Sequence, residues 1–250
     1  MKHKFISLWF SFALFLFCYL AVEISLGVLL SIWSFILALY LLIKNKLPSK
    51  KHILISLILT ILVSISYIGL NTEPSTILLN SVFSGISTLF CSLAVFSVME
   101  KNTDIKFIER NKIGSTIIIA ITIGVILSVF NSLLMMGNTP VDFEISVWRL
   151  LACLNPAIFE EMSGRAIFMA YCLYKIGNEK PSKFCSFTMI FMMSVPHTFS
   201  HGYGVIETLV LLVLFGLPLT VLQRKRGITS AMISHGTIDA IRFTIWGLVL

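Results

Sequence analysis

The sequence predicts an all-α polytopic membrane protein, a bundle of eight or nine transmembrane helices with a polar intramembrane cavity. Three observations support this prediction. The chain of 250 residues is 57% hydrophobic and only 12% charged, whereas a soluble domain carries about 25% charged residues. Apolar segments near the roughly 20 residues that cross a bilayer recur along the chain. Ionisable residues interrupt several of the later segments, where they cost free energy unless they are paired or hydrated.

Nine apolar segments can be counted. They are residues 5–21, 24–43, 53–71, 76–98, 114–136, 147–174, 184–200, 204–222 and 228–248. The first and the seventh are short for a span, so the count is eight or nine. The sixth is longer than a span needs and is expected to tilt or to extend past the membrane. We expect residues 1–113 to form about four N-terminal helices and residues 114–250 to form a core that carries the functional motifs.

The distribution of charge predicts the orientation. The net charge is +7, but the basic residues cluster between apolar segments, which disfavours a nucleic-acid-binding protein. These clusters are residues 1–4, 44–51, 101–112, 175–183 and 224–226. With nine spans, all of them fall on the side of the N-terminus, which the positive-inside rule identifies as cytoplasmic.

The five cysteines lie in apolar segments without metal-binding spacing and are expected to be buried apolar residues.

The first ionisable cluster is Glu160, Glu161 and Arg165. On an α-helix, Glu161 and Arg165 are four residues apart and can pair on one face, while Glu160 points about 100° away from Glu161. One carboxylate can then be neutralised while the other remains available as a general base towards water. The alternative is a buried ion pair that only stabilises helix packing, which leaves the second glutamate unexplained.

The second cluster is His197 and His201, also four residues apart. Helix rise places His197 about 20 Å and Glu160 about 21 Å from the cytoplasmic ends of their helices, and His201 about 26 Å. Depth therefore favours His197 as the partner of Glu160. Pro196 is expected to kink this helix, and Gly202 is expected to end it beside His201.

The third cluster is His235 and Asp239, again four residues apart, with Arg242 three residues further on. Arg242 is placed to neutralise Asp239. A His–Asp pair can orient an imidazole, stabilise an oxyanion or ligate a metal. Three clusters on three helices predict one polar site within the bilayer.

In this order, the EExxxR cluster, the helical His197 and the HxxxD cluster resemble the CPBP intramembrane protease family. This family includes the type II CAAX prenyl endopeptidases and the bacteriocin-processing (Abi) proteins. The resemblance covers roughly residues 147–245. The second motif of the family is FxxxH, and the position four before His197 is Met193, with Phe191 nearby.

The resemblance implies a role for each residue. Glu160 would be the general base that activates water, and His197 would assist it. The HxxxD pair, His235 and Asp239, would stabilise the oxyanion or complete a metal site. Glu161 and Arg165 would hold the site together.

The resemblance is compatible with a divalent metal such as zinc or with none. The metal ligands would be Glu160, His197 and His235, with His201 as the alternative to His197. Carboxylates and imidazoles are zinc ligands, but the HExxH motif of many zinc proteases is absent from the sequence.

These features predict an intramembrane endopeptidase that hydrolyses a peptide bond in a hydrophobic or lipidated peptide or a membrane protein. Its partners would be that peptide and membrane lipid, and its compact size and resemblance favour a bacterial plasma membrane. The alternative is a non-proteolytic membrane regulator or a bacteriocin-immunity protein on the same fold. A coupled transporter is disfavoured, because the sequence has neither a repeat nor matched broken helices.

Overall fold

The computed structural model describes residues 2–22, 25–69, 73–136, 140–177 and 179–247. Within these ranges the chain is helical, with short connections and no β-strand. The helices are α1 Ile6–Val22, α2 Leu26–Asn45, α3 Lys50–Ser66, α4 Pro74–Met99, α5 Ile113–Met135, α6 Val147–Ala152, α7 Ile167–Ile176, α8 Lys183–Phe199, α9 Val205–Leu211, α10 Leu217–Arg226 and α11 Ile228–Trp246.

The predicted all-α polytopic membrane fold is confirmed. By length and composition, four helices of the described ranges can cross a membrane: Leu26–Asn45, Pro74–Met99, Ile113–Met135 and Val205–Arg226. The count of eight or nine spans and the polar cavity stay predictions.

All five cysteines are free thiols, and four of them are buried, as their apolar surroundings predict.

Two π-helical segments interrupt the α-helices. Asn155–Ala166 separates α6 from α7, and Leu212–Gly216 separates α9 from α10. The apolar segment 147–174, which the sequence predicts as one long helix, is therefore two α-helices joined by a π-helix. Pro156 lies at the start of this π-helix, and because proline has no N–H, the α-helical bonding of α6 cannot continue through it.

The chain forms two compact units that alternate along the sequence. The first unit comprises Met1–Ile53, Phe90–Ile105 and Met162–Val221, and the second comprises Leu54–Leu89, Lys106–Glu161 and Leu222–Leu250. The sequence predicts a division into N-terminal helices (residues 1–113) and a motif-bearing core (residues 114–250). That division stays a prediction, because it is based on the position of the motifs and the two units are defined by compactness.

Aromatic packing holds the first unit together. The Trp33 ring of α2 meets the edge of Phe168 of α7, with ring centroids 4.8 Å apart. Phe191 of α8 contacts Trp9 and Phe12 of α1 at centroid distances of 4.8 and 5.1 Å. In lipid, where burial of apolar surface does little to associate helices, such close contacts supply the attraction.

Helix α11, which carries the HxxxD residues, packs against α5 in the second unit. Gly124 of α5 makes this approach close. A Cβ at Gly124 would lie 2.7 Å from the Thr237 Cβ and 2.8 Å from the Ser234 carbonyl oxygen. Both atoms belong to α11 and flank His235 along the chain, so the missing side chain at Gly124 sets where the third motif lies against α5.

Backbone contacts bind the start of α11. Its first amides, those of Ile228 and Thr229, donate to the Lys106 and Phe107 carbonyls, both at 2.9 Å. These are two of the N–H groups that every helix leaves unpaired at its beginning. Gly227 has a φ of 97°, and a Cβ there would lie 2.9 Å from the Lys106 carbonyl oxygen. Glycine is needed at position 227 because φ is positive and because the Lys106 carbonyl leaves no room for a Cβ.

The other end of α11 is bound by a charged side chain. The Arg149 guanidinium donates to the Phe243 carbonyl at 3.1 Å and pairs with Glu144 at 2.9 Å and with Asp142. A cation is favourable at a helix C-terminus because of the helix dipole. Helix α11 is thus held at its start by the loop before α5 and at its end by Arg149 of α6.

Replacing Gly124 with alanine is expected to destabilise the protein by about 1–3 kcal/mol, because the added methyl group overlaps Thr237 and the backbone at Ser234. Gly114 near the start of α5 is the matched control, since a Cβ there meets nothing within 4 Å. Gly114→Ala should be neutral or slightly stabilising. Thermal unfolding in detergent measures both, and equal transition temperatures for the two variants would contradict the close helix approach.

Candidate active site

In the second unit, the His235 imidazole lies among three carboxylates. Its Nδ1 is hydrogen-bonded to Glu161 Oε1 at 2.7 Å. Its Nε2 lies 3.4 Å from Asp239 Oδ2 and 3.8 Å from Glu160 Oε2. The bond to Glu161 fixes the plane of the ring, so the second nitrogen is directed towards Asp239 and Glu160.

These acids differ in exposure. The Glu161 side chain is fully buried and the Asp239 side chain is 5% exposed, whereas the Glu160 side chain is 23% exposed. The Arg242 guanidinium lies 3.6 Å from Asp239, the neutralising contact that their spacing predicts. Glu160 is therefore the most accessible carboxylate of this group, which is what a base that must meet water requires.

The π-helix changes the directions of the two glutamates. On an α-helix they would diverge by about 100°, yet both lie close to the His235 ring. A π-helix bonds each residue to the fifth one along and turns less at each step. Glu160 and Glu161 reach the same imidazole, at 3.8 and 2.7 Å.

In the first unit, His197 packs on the backbone of the motif helix. Its side chain is buried, and so is that of Arg165. A Cβ at Gly164 would lie 2.7 Å from His197 Nδ1. Gly164 stands within the EExxxR motif, and sequence reasoning did not single it out. The signal was available, because a glycine inside a helical segment often marks a close approach.

His201 lies beyond the end of α8, in the turn that follows Phe199, and it is exposed. Its ring meets the His197 ring edge-on, with centroids 5.1 Å apart, and stacks on Tyr203 at 5.8 Å. The first unit therefore brings the two histidines together, one buried and one exposed.

A second residue that the sequence did not reveal is Ser34 of α2. Its buried hydroxyl donates to the Ser163 carbonyl at 2.6 Å, and Cys91 approaches the Ser34 carbonyl at 3.9 Å. The bond ties α2 to the π-helical segment one residue before Gly164. Small polar residues of this kind commonly join helices in membranes.

The fold and these residues define a class: a helical membrane protein with buried acids and imidazoles on its later helices. Residues 142–241 match the family model of the Rce1-like type II CAAX prenyl endopeptidases. The match spans all three motifs and confirms the predicted resemblance for this part of the chain. No curated protein and no solved structure matches the chain.

Gly164→Ala is expected to displace the His197 ring, because an alanine methyl group cannot lie 2.7 Å from Nδ1. Histidine-selective acylation followed by mass spectrometry measures this. Acylation of His197 should rise several-fold relative to His201 in the same molecule.

Gly27→Ala in α2 is the control, since a Cβ there makes ordinary contacts of 3.6 and 3.7 Å. It should leave the ratio unchanged. Unaltered acylation of His197 in Gly164→Ala would show that the histidine does not depend on this glycine.

Proposed function

We propose that the protein is an intramembrane endopeptidase that hydrolyses a peptide bond in a hydrophobic or lipidated substrate by glutamate-activated water. The observation that carries this proposal is the His235 imidazole held by Glu161 and facing Glu160 and Asp239. The match of residues 142–241 to an endopeptidase family supports it.

In the proposed reaction, Glu160 accepts a proton from water as the water oxygen attacks the carbonyl carbon of the scissile peptide. The carbonyl oxygen becomes an oxyanion in the tetrahedral intermediate. The same proton then passes to the amide nitrogen as the C–N bond breaks, and Glu160 is regenerated as a carboxylate. Its partial exposure supports this role, since a general base must reach water within hydrogen-bond distance.

His235 is proposed to stabilise the oxyanion. Its Nδ1 is bonded to Glu161, which leaves Nε2 to donate to the developing negative charge when the ring is protonated. Asp239 lies beside Nε2 and would stabilise the imidazolium. A donor held in place before the reaction is worth several kcal/mol of transition-state stabilisation. Arg165 and Glu161 are proposed to maintain the geometry of the site.

His197 is proposed to assist the base, and His201 is the alternative to it as a metal ligand. Glu160, His197 and His201 offer one carboxylate and two imidazoles, ligand types that suit zinc, and His235 offers a further imidazole. If a divalent metal binds these residues, it would polarise the substrate carbonyl and the attacking water.

The substrate is proposed to enter from the membrane. The matched family is named for prenyl endopeptidases, and a peptide with a prenyl group partitions into a bilayer. The basic loops support an orientation with the N-terminus in the cytoplasm. A multi-pass protein of a bacterial plasma membrane is the proposed setting.

Glu160→Gln is expected to lower the rate of cleavage of a farnesylated CAAX reporter peptide by about 10²–10⁴-fold, because the amide cannot accept the proton. Purified protein in nanodiscs is the assay sample, with thermal unfolding as a folding check. Glu179→Gln is the matched control, since that exposed glutamate only pairs with Lys4. Full activity of Glu160→Gln would refute the mechanism. No cleavage of prenylated and unprenylated reporters by the intact protein would favour the regulator alternative.

His197→Ala is expected to lower the same cleavage rate much more than His201→Ala, because the buried ring is the one fixed against the motif helix. Zinc content measured on the same samples assigns the metal ligands: a stoichiometric ion lost in His197→Ala but kept in His201→Ala supports His197. Equal losses of activity from the two variants would contradict the preference for His197.

A further inference from the structure

Helix α2 carries none of the motif residues, yet one of its hydroxyls is bonded to the backbone of the first motif. Ser34 is buried, with 1% of its surface exposed, and its Oγ donates to the Ser163 carbonyl at 2.6 Å. Ser163 lies within the EExxxR motif, on the π-helix Asn155–Ala166. This bond brings an N-terminal helix to the candidate site.

The bond acts on the peptide that joins Ser163 to Gly164. The carbonyl oxygen of Ser163 and the Cα of Gly164 belong to one planar peptide group, so a donor that fixes the oxygen also restricts where that Cα lies. A carbonyl oxygen has two lone pairs and can accept this bond in addition to one within its own helix. The orientation of the peptide is therefore set partly by α2.

The His197 imidazole packs on the same peptide. A Cβ at Gly164 would lie 2.7 Å from His197 Nδ1 and 3.1 Å from its Cγ, so the ring lies on the backbone with no side chain between them. Ser34, Ser163, Gly164 and His197 all belong to the first unit. A tilt of the peptide would therefore move the surface against which this buried ring packs.

Aromatic contacts join α2 to α7 independently of the Ser34 hydroxyl. The ring centroids of Trp33 and Phe168 are 4.8 Å apart, and those of Tyr40 and Tyr171 are 5.8 Å apart. Both contacts remain when the hydroxyl is removed. The hydroxyl is thus expected to set the orientation of one peptide rather than to hold the two helices together.

We infer that Ser34 is a positioning residue for the His197 imidazole, acting through the Ser163–Gly164 peptide; this inference rests on the proposed function. The hydroxyl holds the carbonyl, the peptide plane transmits that constraint to Gly164, and the imidazole packs on Gly164. A side chain that assists a base or binds a metal ion must be placed closely, since a misplacement of about 1 Å can cost about a hundredfold in rate.

Ser34→Ala tests the inference, because it removes the donor and leaves the aromatic contacts of α2 in place. In nanodiscs, kcat for the farnesylated reporter should fall about tenfold with KM unchanged. Histidine-selective acylation of the same samples should show a several-fold rise of His197 relative to His201, because the ring is no longer held against the backbone.

Ser31→Ala is the matched control. Ser31 lies one turn earlier on the same helix and is also buried, but its hydroxyl donates at 2.9 Å to the Gly27 carbonyl of α2 itself. Its removal should leave kcat, KM and the acylation ratio at the values of the unmodified protein. An unchanged kcat or an unchanged acylation ratio in Ser34→Ala would overturn the inference.

The double variant Ser34→Ala/His197→Ala separates an action through His197 from a general loss of activity. If Ser34 acts through His197, adding Ser34→Ala to His197→Ala should lower the residual rate no further. A further fall as large as that of Ser34→Ala alone would contradict the inference. A raised KM with a clearly lower transition temperature would assign Ser34 a structural role and would contradict it too.

Failure of the proposed function gives a different result. Full activity of Glu160→Gln would remove the proposed mechanism, whereas loss of activity in Glu160→Gln with a normal kcat in Ser34→Ala would remove the positioning role alone. The acylation ratio does not depend on cleavage. If the intact protein cleaves no reporter, a raised ratio in Ser34→Ala still supports the placement of His197 by Ser34, and an unchanged ratio refutes it.

Discussion

The hydrogen bond between Glu161 and His235 is the interaction on which the arrangement of the acids depends. Glu161 is fully buried, and a carboxylate removed from water is stable only with a partner that supplies a hydrogen bond and a compensating charge. The imidazole supplies that hydrogen bond with one nitrogen. This hydrogen bond joins the EExxxR motif to the HxxxD motif. It uses Nδ1 of His235, so the other ring nitrogen, Nε2, is directed towards Asp239 and Glu160. A change in either partner would remove the bond that joins these two motifs.

The π-helix Asn155–Ala166 is the second constraint. Long π-helical stretches are rare because their hydrogen bonds are less favourable than those of an α-helix, and they are often found at functional sites. Here the stretch is supported from outside itself. Ser34 donates to its Ser163 carbonyl, and His235 bonds Glu161 in its middle. These contacts offset the weaker helix, whose two glutamates both reach the His235 imidazole.

Much of the fold was readable from the sequence. Apolar length and charge asymmetry predict a helical membrane protein, since a backbone in lipid must satisfy its own hydrogen bonds. The residues of the three motifs were also readable, because each interrupts an apolar segment. The spacing of His235 and Asp239 correctly placed them on one face, within 3.4 Å. The directions of Glu160 and Glu161 were not readable, because they follow from a π-helix that no local pattern of residues announces. Ser34 was missed for a different reason: its partner is distant in the chain, and alone it resembles any polar residue in a span.

Helix α11 illustrates how segments distant in the chain can fix the position of a candidate site residue. The Lys106 and Phe107 carbonyls hold its first turn, and Arg149 holds its last. A helix anchored at one end alone could slide or rotate, and a slip of a single residue would turn His235 by about 100°. With both ends anchored, the screw motion that would swing this imidazole away is blocked. The angular setting of His235 is thus inherited from the loop before α5 and from α6, neither of which contains a motif residue.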